Sequence, residues 1–201
     1  MRTPLLGDCT GALVAGGRST RMGGIPKGLL RVNGEPILAR SVRLFGELFA
    51  ATLVVSNDGA PYARFGAPVI ADAVADKGAP GGLHAALTAA HTAWVFAAAC
   101  DMPFLSRQAI VFLAARRTGA DAVVLRTRGG LEPLHAFWSV RCLPVLDRLV
   151  RSGDPSFRDL AGQVATRFVD EAEWREADPE GRALANANTP EDAARLGLDG
   201  P

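Results

Sequence analysis

The chain has 201 residues, 48% of them apolar, which is enough to bury the core of one domain. Its 22 basic residues nearly cancel its 21 acidic ones, which argues against a protein that coats nucleic acid or an anionic membrane, so any anion site must be local. Three widely spaced cysteines, Cys9, Cys100 and Cys142, form no C-x-x-C pair; neither a disulfide framework nor a zinc site is suggested, and a reducing cytoplasm fits best.

Along the chain, strand and helix signals alternate. "GALVA" (11–15) reads as a buried strand. Asp8 interrupts the apolar character before it, and no run reaches membrane-spanning length, so neither export nor membrane anchoring is expected. After a glycine-rich loop, "GLLRV" suggests a short strand and "NGEP" a turn. From Pro36, placed for a first helical position, Leu38, Val42, Phe45 and Phe49 recur on one helical face. "TLVVSN" (52–57) and "APVIAD" (67–72) read as strands on either side of a short connection. "GGLHAALTAAH" (81–91) is helical, and "AWVFAAACD" (93–101) is a strand whose unbroken apolarity implies cover on both faces.

Ser106 offers a cap for the helix "SRQAIVFLAARR", and "ADAVVLRT" (120–127) gives a further strand. "LEPLHAFWS" (131–139) is strand-like, followed by helices over 140–153 and 156–162 and a strand in "ATRFVD". "NTPEDAARLG" closes the chain with Thr189 as cap, Pro190 at the first helical position and Gly197 as a stop. The pattern predicts an α/β fold: a mainly parallel sheet with helices on both faces, forming a single domain over 1–201.

Open parallel sheets bind ligands at the carboxyl ends of their strands. The predicted strands deliver there a loop with glycines at 16, 17, 23, 24 and 28, then Ser56 and Asn57, then Asp72, and then Cys100 and Asp101. The loop's backbone N–H groups, with Arg18, Arg21 and Lys27, could cradle a triphosphate. It matches neither the Walker pattern nor G-x-G-x-x-G, and a merely tight connection explains it equally well. At the end of an apolar strand Asp101 suits magnesium bridged to substrate phosphates; position alone leaves it equally free to cap the next segment. Cys100 is read as a small buried apolar residue, His84 and His91 as packed or exposed, and His135 as facing either the site or solvent. No histidine–acid constellation activates Ser19, Ser56 or Ser106, so nucleophilic hydrolysis is a poor reading.

Taken together, "VAGGRSTRMGGIPKGLL", "KGAPGGLHAAL", "ACDMPFL", "EPLHAFW" and "NANTPEDAARL" resemble the molybdenum cofactor guanylyltransferases over nearly the whole chain. The resemblance implies a Rossmann-like fold and a magnesium-dependent transfer of GMP from GTP to the phosphate of molybdenum-bound molybdopterin, releasing pyrophosphate. It implies a nucleotide site from Leu13, Ala15, Gly16, Gly17, Lys27, Asn57, Asp72 and Asp101, with Lys27, Asp101 and Arg21 serving the reaction and Asp101 holding the metal. Asn186 and Asn188 match the pterin side, with Arg158 and His135 as weaker candidates there. On this basis the N-terminal half binds GTP and magnesium and the C-terminal half binds the pterin acceptor. Molybdenum-insertion proteins and acceptor molybdoenzymes are further possible partners; nucleic acid and membrane are not. Two departures stand out: Pro26 replaces an aspartate common before the lysine, removing a backbone donor, and "LVAGG" stands where relatives commonly have "LAGG". The rivals are cytidylyl transfer to the same acceptor, a sugar-nucleotide-type transferase, and an inert nucleotide-binding homologue. "AGG" where cytidylyl relatives tend to carry "AAG" favours guanine.

Overall fold

A computed structural model of the protein describes residues 4–15, 26–74 and 76–200. Its strands, in chain order, are β1 (Leu6–Val14), β2 (Arg31–Val32), β3 (Glu35–Pro36), β4 (Phe49–Val55), β5 (Val69–Ile70), β6 (Trp94–Ala99), β7 (Ala122–Thr127), β8 (Gly130–Ser139), β9 (Thr166–Asp170) and β10 (Leu198–Asp199). The helices are α1 (Ile37–Leu48), α2 (Gly78–Ala89), α3 (Arg107–Ala114), α4 (Leu143–Ser152), α5 (Phe157–Gln163), α6 (Glu171–Trp174) and α7 (Pro190–Arg195).

Seven strands form one sheet in the order β5-β4-β1-β6-β8-β7-β9, and β10-β2-β3 form a small second sheet. In the large sheet β8 runs antiparallel to both neighbours, while β4, β5 and β6 follow β1 and β9 follows β7 in parallel. The expectation of a mainly parallel, doubly covered sheet holds. Side chains alternate across it: Leu13 and Val54 join a core with α1, α3 and Trp174, whereas Ala12, Leu53 and Val55 join another with α2, α4 and α5.

The first core rests on close aromatic packing. Phe45 meets Phe49 edge-on with ring centroids 5.0 Å apart, Phe96 lies 4.9 Å from Phe137, and Gly11 forms the floor beneath Phe45 and Phe49. A Cβ on Gly11 would stand 2.4 Å from Phe45 and 2.5 Å from Phe49, so only glycine fits there.

Several local expectations are met: the Ser106 side chain accepts from the Ala109 N–H, and Thr189 forms a capping box with Asp192 ahead of Pro190. Others shift. Pro36 precedes α1 instead of opening it and pairs with Arg31, the 67–72 run shortens to the edge strand β5, and "GLLRV" divides into a 3₁₀ turn at Lys27–Leu29 and β2. Among the described residues no helix is long and apolar enough to cross a membrane.

Candidate active site

The carboxyl ends of β1 and β6 open into a cleft of about 450 Å³. Val14 and Ala15 enter from β1 and Cys100, Asp101 and Met102 follow β6, while Ala79 of α2, Lys27, Asn186 and Asn188 close the sides. Because β8 runs antiparallel, its beginning and not its end reaches the same edge, as the pairing of Ala98 with His135 requires. Glu132, Pro133 and Leu134 therefore line the cleft too, together with Tyr62 and Phe157.

Lys27 is the hub of this arrangement. Its Nζ donates to Asp101 Oδ2 at 3.0 Å and to Asn188 Oδ1 at 2.7 Å. The carboxylate is 11% exposed and the lysine side chain 24%, so the pair is only partly solvated and its attraction is weakly screened. Two features hold the lysine there. Gly28 packs against the Cys100 carbonyl, where a Cβ would be in ordinary contact with the oxygen at 3.5 Å, and the next residues anchor in a small core of Leu30, Val32, Ile37, Ala187 and Ala193. That core also fixes the C-terminal segment, whose Ala187 N–H donates to the Asp101 carbonyl at 3.1 Å. Asn188 contributes its backbone N–H to the α7 cap, through Asp192, and its side chain to Lys27.

Asn57 and Asp72 form a reciprocal pair beside the cleft. Asn57 Nδ2 donates to Asp72 Oδ2 at 3.1 Å and the Asp72 N–H donates to Asn57 Oδ1 at 2.9 Å. Burial raises the Asp72 pKa, against the lowering effect of the Asn57 hydrogen bond. Its carboxylate borders the first turns of α2: a Cβ on Gly82 would lie 3.8 Å from Asp72 Oδ1 and 2.7 Å from Val14 Cγ1, and Val14 lines the cleft.

Leu13 is wholly buried, its register fixed to Val54 on one side and Ala98 on the other, so Val14 and Ala15 replace it at the cleft wall. Gly16, Gly17, Arg18, Arg21, Gly23 and Gly24 lie outside the described residues. Arg158 is exposed on α5 and does not line the cleft.

His135 faces neither the site nor solvent. It is fully buried, with the Phe96 and Trp174 rings each 5.3 Å away and edge-on, and burial pushes its pKa down to about 3. It is a neutral core residue. His84 is also buried, its Nε2 3.0 Å from Asp147 Oδ1. Cys100 is buried with its thiol pushed up to about 12 by desolvation, which leaves it unreactive, as expected.

Sequence reasoning missed Glu132, Tyr62 and Phe157. Glu132 belongs to a recognised motif, but reading only the ends of strands overlooks a strand that enters from the opposite direction. Burial raises the Glu132 pKa and, among the described residues, no ion pair or hydrogen bond compensates. Burial likewise raises the Tyr62 phenol and keeps it neutral.

The family model described as "MobA-like NTP transferase domain" matches residues 11–167. The chain belongs to the MobA-like NTP transferase family. Within it, this transferase is 32% identical over 94% of its length to a probable molybdenum cofactor guanylyltransferase of Pelotomaculum thermopropionicum, of which 91% is covered. It is 34% identical over 92% of its length to a molybdenum cofactor guanylyltransferase of Pseudomonas putida, of which 96% is covered. A solved structure of molybdopterin-guanine dinucleotide biosynthesis protein A from Archaeoglobus fulgidus shares the fold, with a TM-score of 0.79 and 24% identity over 93% of this chain and 96% of that one.

Proposed function

We propose that this transferase moves GMP from GTP to the phosphate of molybdenum-bound molybdopterin, releasing pyrophosphate. The observation that carries the reading is Lys27, held between Asp101 and Asn188 at the strand ends of a cleft. A lysine and a carboxylate so placed suit phosphoryl chemistry, in which positioning and charge neutralisation do most of the work. An oxygen of the acceptor phosphate attacks the α-phosphorus of GTP, a new P–O bond forms, and the bond to the bridging oxygen breaks as pyrophosphate leaves. No protein nucleophile takes part, in keeping with the unreactive Cys100 thiol.

In this reading Lys27 exchanges its present partners for triphosphate oxygens and offsets the charge that builds up during transfer. Asp72 accepts N–H donors of guanine, positioned by Asn57, and the backbone at Ala15, Gly16 and Gly17 with the side chain of Arg21 embraces the nucleotide. The donor set also fits magnesium, which takes one or two carboxylates and completes its shell with phosphate oxygens and water. Asp101 supplies such a carboxylate inside the cleft, and Asn188 places an amide oxygen next to it. When bound, magnesium neutralises the triphosphate and the departing pyrophosphate. The N-terminal half thus serves GTP and magnesium and the C-terminal half the acceptor, within one domain over 1–201. The setting is the reducing cytoplasm, where Cys9, Cys100 and Cys142 remain the free thiols seen here.

The deciding assay offers GTP or CTP with molybdenum-loaded molybdopterin and follows pyrophosphate release with and without magnesium. GTP preference and loss of turnover on chelation are expected. Preference for CTP would overturn the reading in favour of cytidylyl transfer.

A further inference from the structure

We propose that Glu132 is a specificity-determining residue for the acceptor, taking the adjacent N–H donors of the 2-amino-4-oxo edge of a pterin while the ring stacks on Phe157. This rests on the guanylyl-transfer reading above and adds to it the group that recognises the acceptor's ring.

The inference begins with which side of the transfer centre is free. Asp101 and Lys27 mark that centre, at the end of β6. On one flank, toward β4 and β5, stand Asn57 and Asp72, the nucleotide side of the proposed function. The other flank belongs to β8, the neighbour of β6 on its far side. Two substrates that meet at one phosphorus must approach from different directions, so the acceptor falls to the β8 flank.

The chemistry of that flank is distinctive. Glu132 presents a carboxylate that is partly desolvated and, among the described residues, unpaired. Asn186 Oδ1, in the same cleft, is buried without a hydrogen-bond partner. Both are acceptors, one half-buried and one buried, and a desolvated acceptor left unmatched costs stability, so the arrangement suits a ligand that donates. Phe157 adds an aromatic wall, braced by Trp138 at 5.9 Å between ring centroids, while Pro133 and Leu134 add apolar surface. A half-buried carboxylate and an aromatic wall lining one cleft suit a flat heterocycle with neighbouring N–H groups. A phosphate or a sugar hydroxyl cluster matches it less well, because a second anion would be repelled and a sugar's hydroxyls do not form a coplanar pair of adjacent N–H donors for one carboxylate. Of the two substrates, the remaining flat ring with an N3–H beside a 2-amino group is the pterin.

The test compares fluorescence titrations of 6-hydroxymethylpterin and 6-hydroxymethyllumazine, in which a carbonyl replaces the 2-amino donor. Wild-type protein should prefer the pterin by at least about tenfold, ~1.4 kcal/mol. Glu132→Gln should bring the two ligands to within about threefold while leaving GTP affinity unchanged and the thermal melt no lower than that of the wild type, since it removes an uncompensated charge. Phe157→Leu should weaken both ligands and retain the ratio, separating stacking from edge recognition. Wild-type protein that binds the two equally, or a Glu132→Gln variant whose ratio does not move, overturns the proposal. So does a variant that loses GTP affinity more than pterin affinity, which would place Glu132 on guanine. GMP transfer by wild-type protein is followed in parallel: its absence refutes the proposed function, whereas the pterin-to-lumazine ratio judges Glu132 independently of turnover.

Discussion

Replacing His135 with phenylalanine should make the protein more resistant to acid than to any neutral-pH challenge. In the folded state the ring is fully buried, neither nitrogen has a hydrogen-bond partner, and burial pushes the pKa from 6.5 down to about 3. The unfolded chain takes up a proton as pH falls through about 6.5, whereas the folded protein does not until about 3. The stability this neutral histidine preserves is therefore intact above the unfolded pKa and lost progressively as pH falls toward the folded one. At pH 5 the gap from 6.5 amounts to about 2 kcal/mol, at ~1.36 kcal/mol per pH unit. For a chain of this size that is about 4–8 °C in melting temperature. Phenylalanine abolishes the titration. It also removes an unsatisfied N–H, worth ~1–3 kcal/mol, and adds a ring atom to a tight site, but neither effect depends on pH. Melting temperatures of both proteins at pH 8 and pH 5 isolate the titration, because every other titrating group is common to the pair. The variant's advantage should widen by about 4–8 °C at the lower pH. An advantage that is the same at both values would refute the assignment of His135 as a buried neutral ring.

Lys27→Ala and Asp101→Asn should each lower kcat by about 10²–10³-fold, the range for removing a group that stabilises transition-state charge; unchanged pyrophosphate release with either variant would remove that residue from the chemistry. Asp72→Asn should raise KM for GTP while leaving the acceptor KM in place, because an amide offers one acceptor where guanine presents two adjacent donors; equal changes in both constants would contradict a base-reading role. Gly11→Ala should destabilise by at least ~1–3 kcal/mol in urea unfolding, since its Cβ would stand 2.4 Å from Phe45 within a braced aromatic cluster. Gly46→Ala, exposed on α1 with nothing within 4 Å of its Cβ, should instead stabilise by about 0.5–1 kcal/mol.

Much of the sheet was legible because β6 is an unbroken apolar run, β1 and β4 end in apolar stretches, and the amphipathic α1 keeps its period through Leu38, Val42 and Phe45. The caps at Ser106 and Thr189 were equally legible, since a side-chain oxygen meeting an N–H three residues on is local chemistry. Strand direction is not local. Nothing within "LEPLHAFWS" reveals that β8 runs against its neighbours, and that reversal brings Glu132 to the cleft and takes His135 into the core. β2, β3 and β10 are two-residue strands, too short for periodicity to register, and β10 reaches β2 across most of the chain. For the site, Lys27, Asp101, Asn186 and Asn188 converge as the motifs suggested. The bond from Lys27 to Asn188 follows from a tertiary arrangement that spacing alone does not reveal.

That bond joins residues 161 positions apart. At ribosomal rates of about 5–20 residues per second, Asn188 follows Lys27 by roughly 8–32 s, time enough for the parallel strands before it to collapse. Through that interval the lysine lacks the tail that completes its setting, and closing so long a loop is among the slower steps available to the chain. The nascent protein thus acquires its sheet first and this part of its machinery last. A transferase that is released early, or clipped near its C-terminus, retains all seven strands of the large sheet in its sequence and still lacks the segment that steadies Lys27.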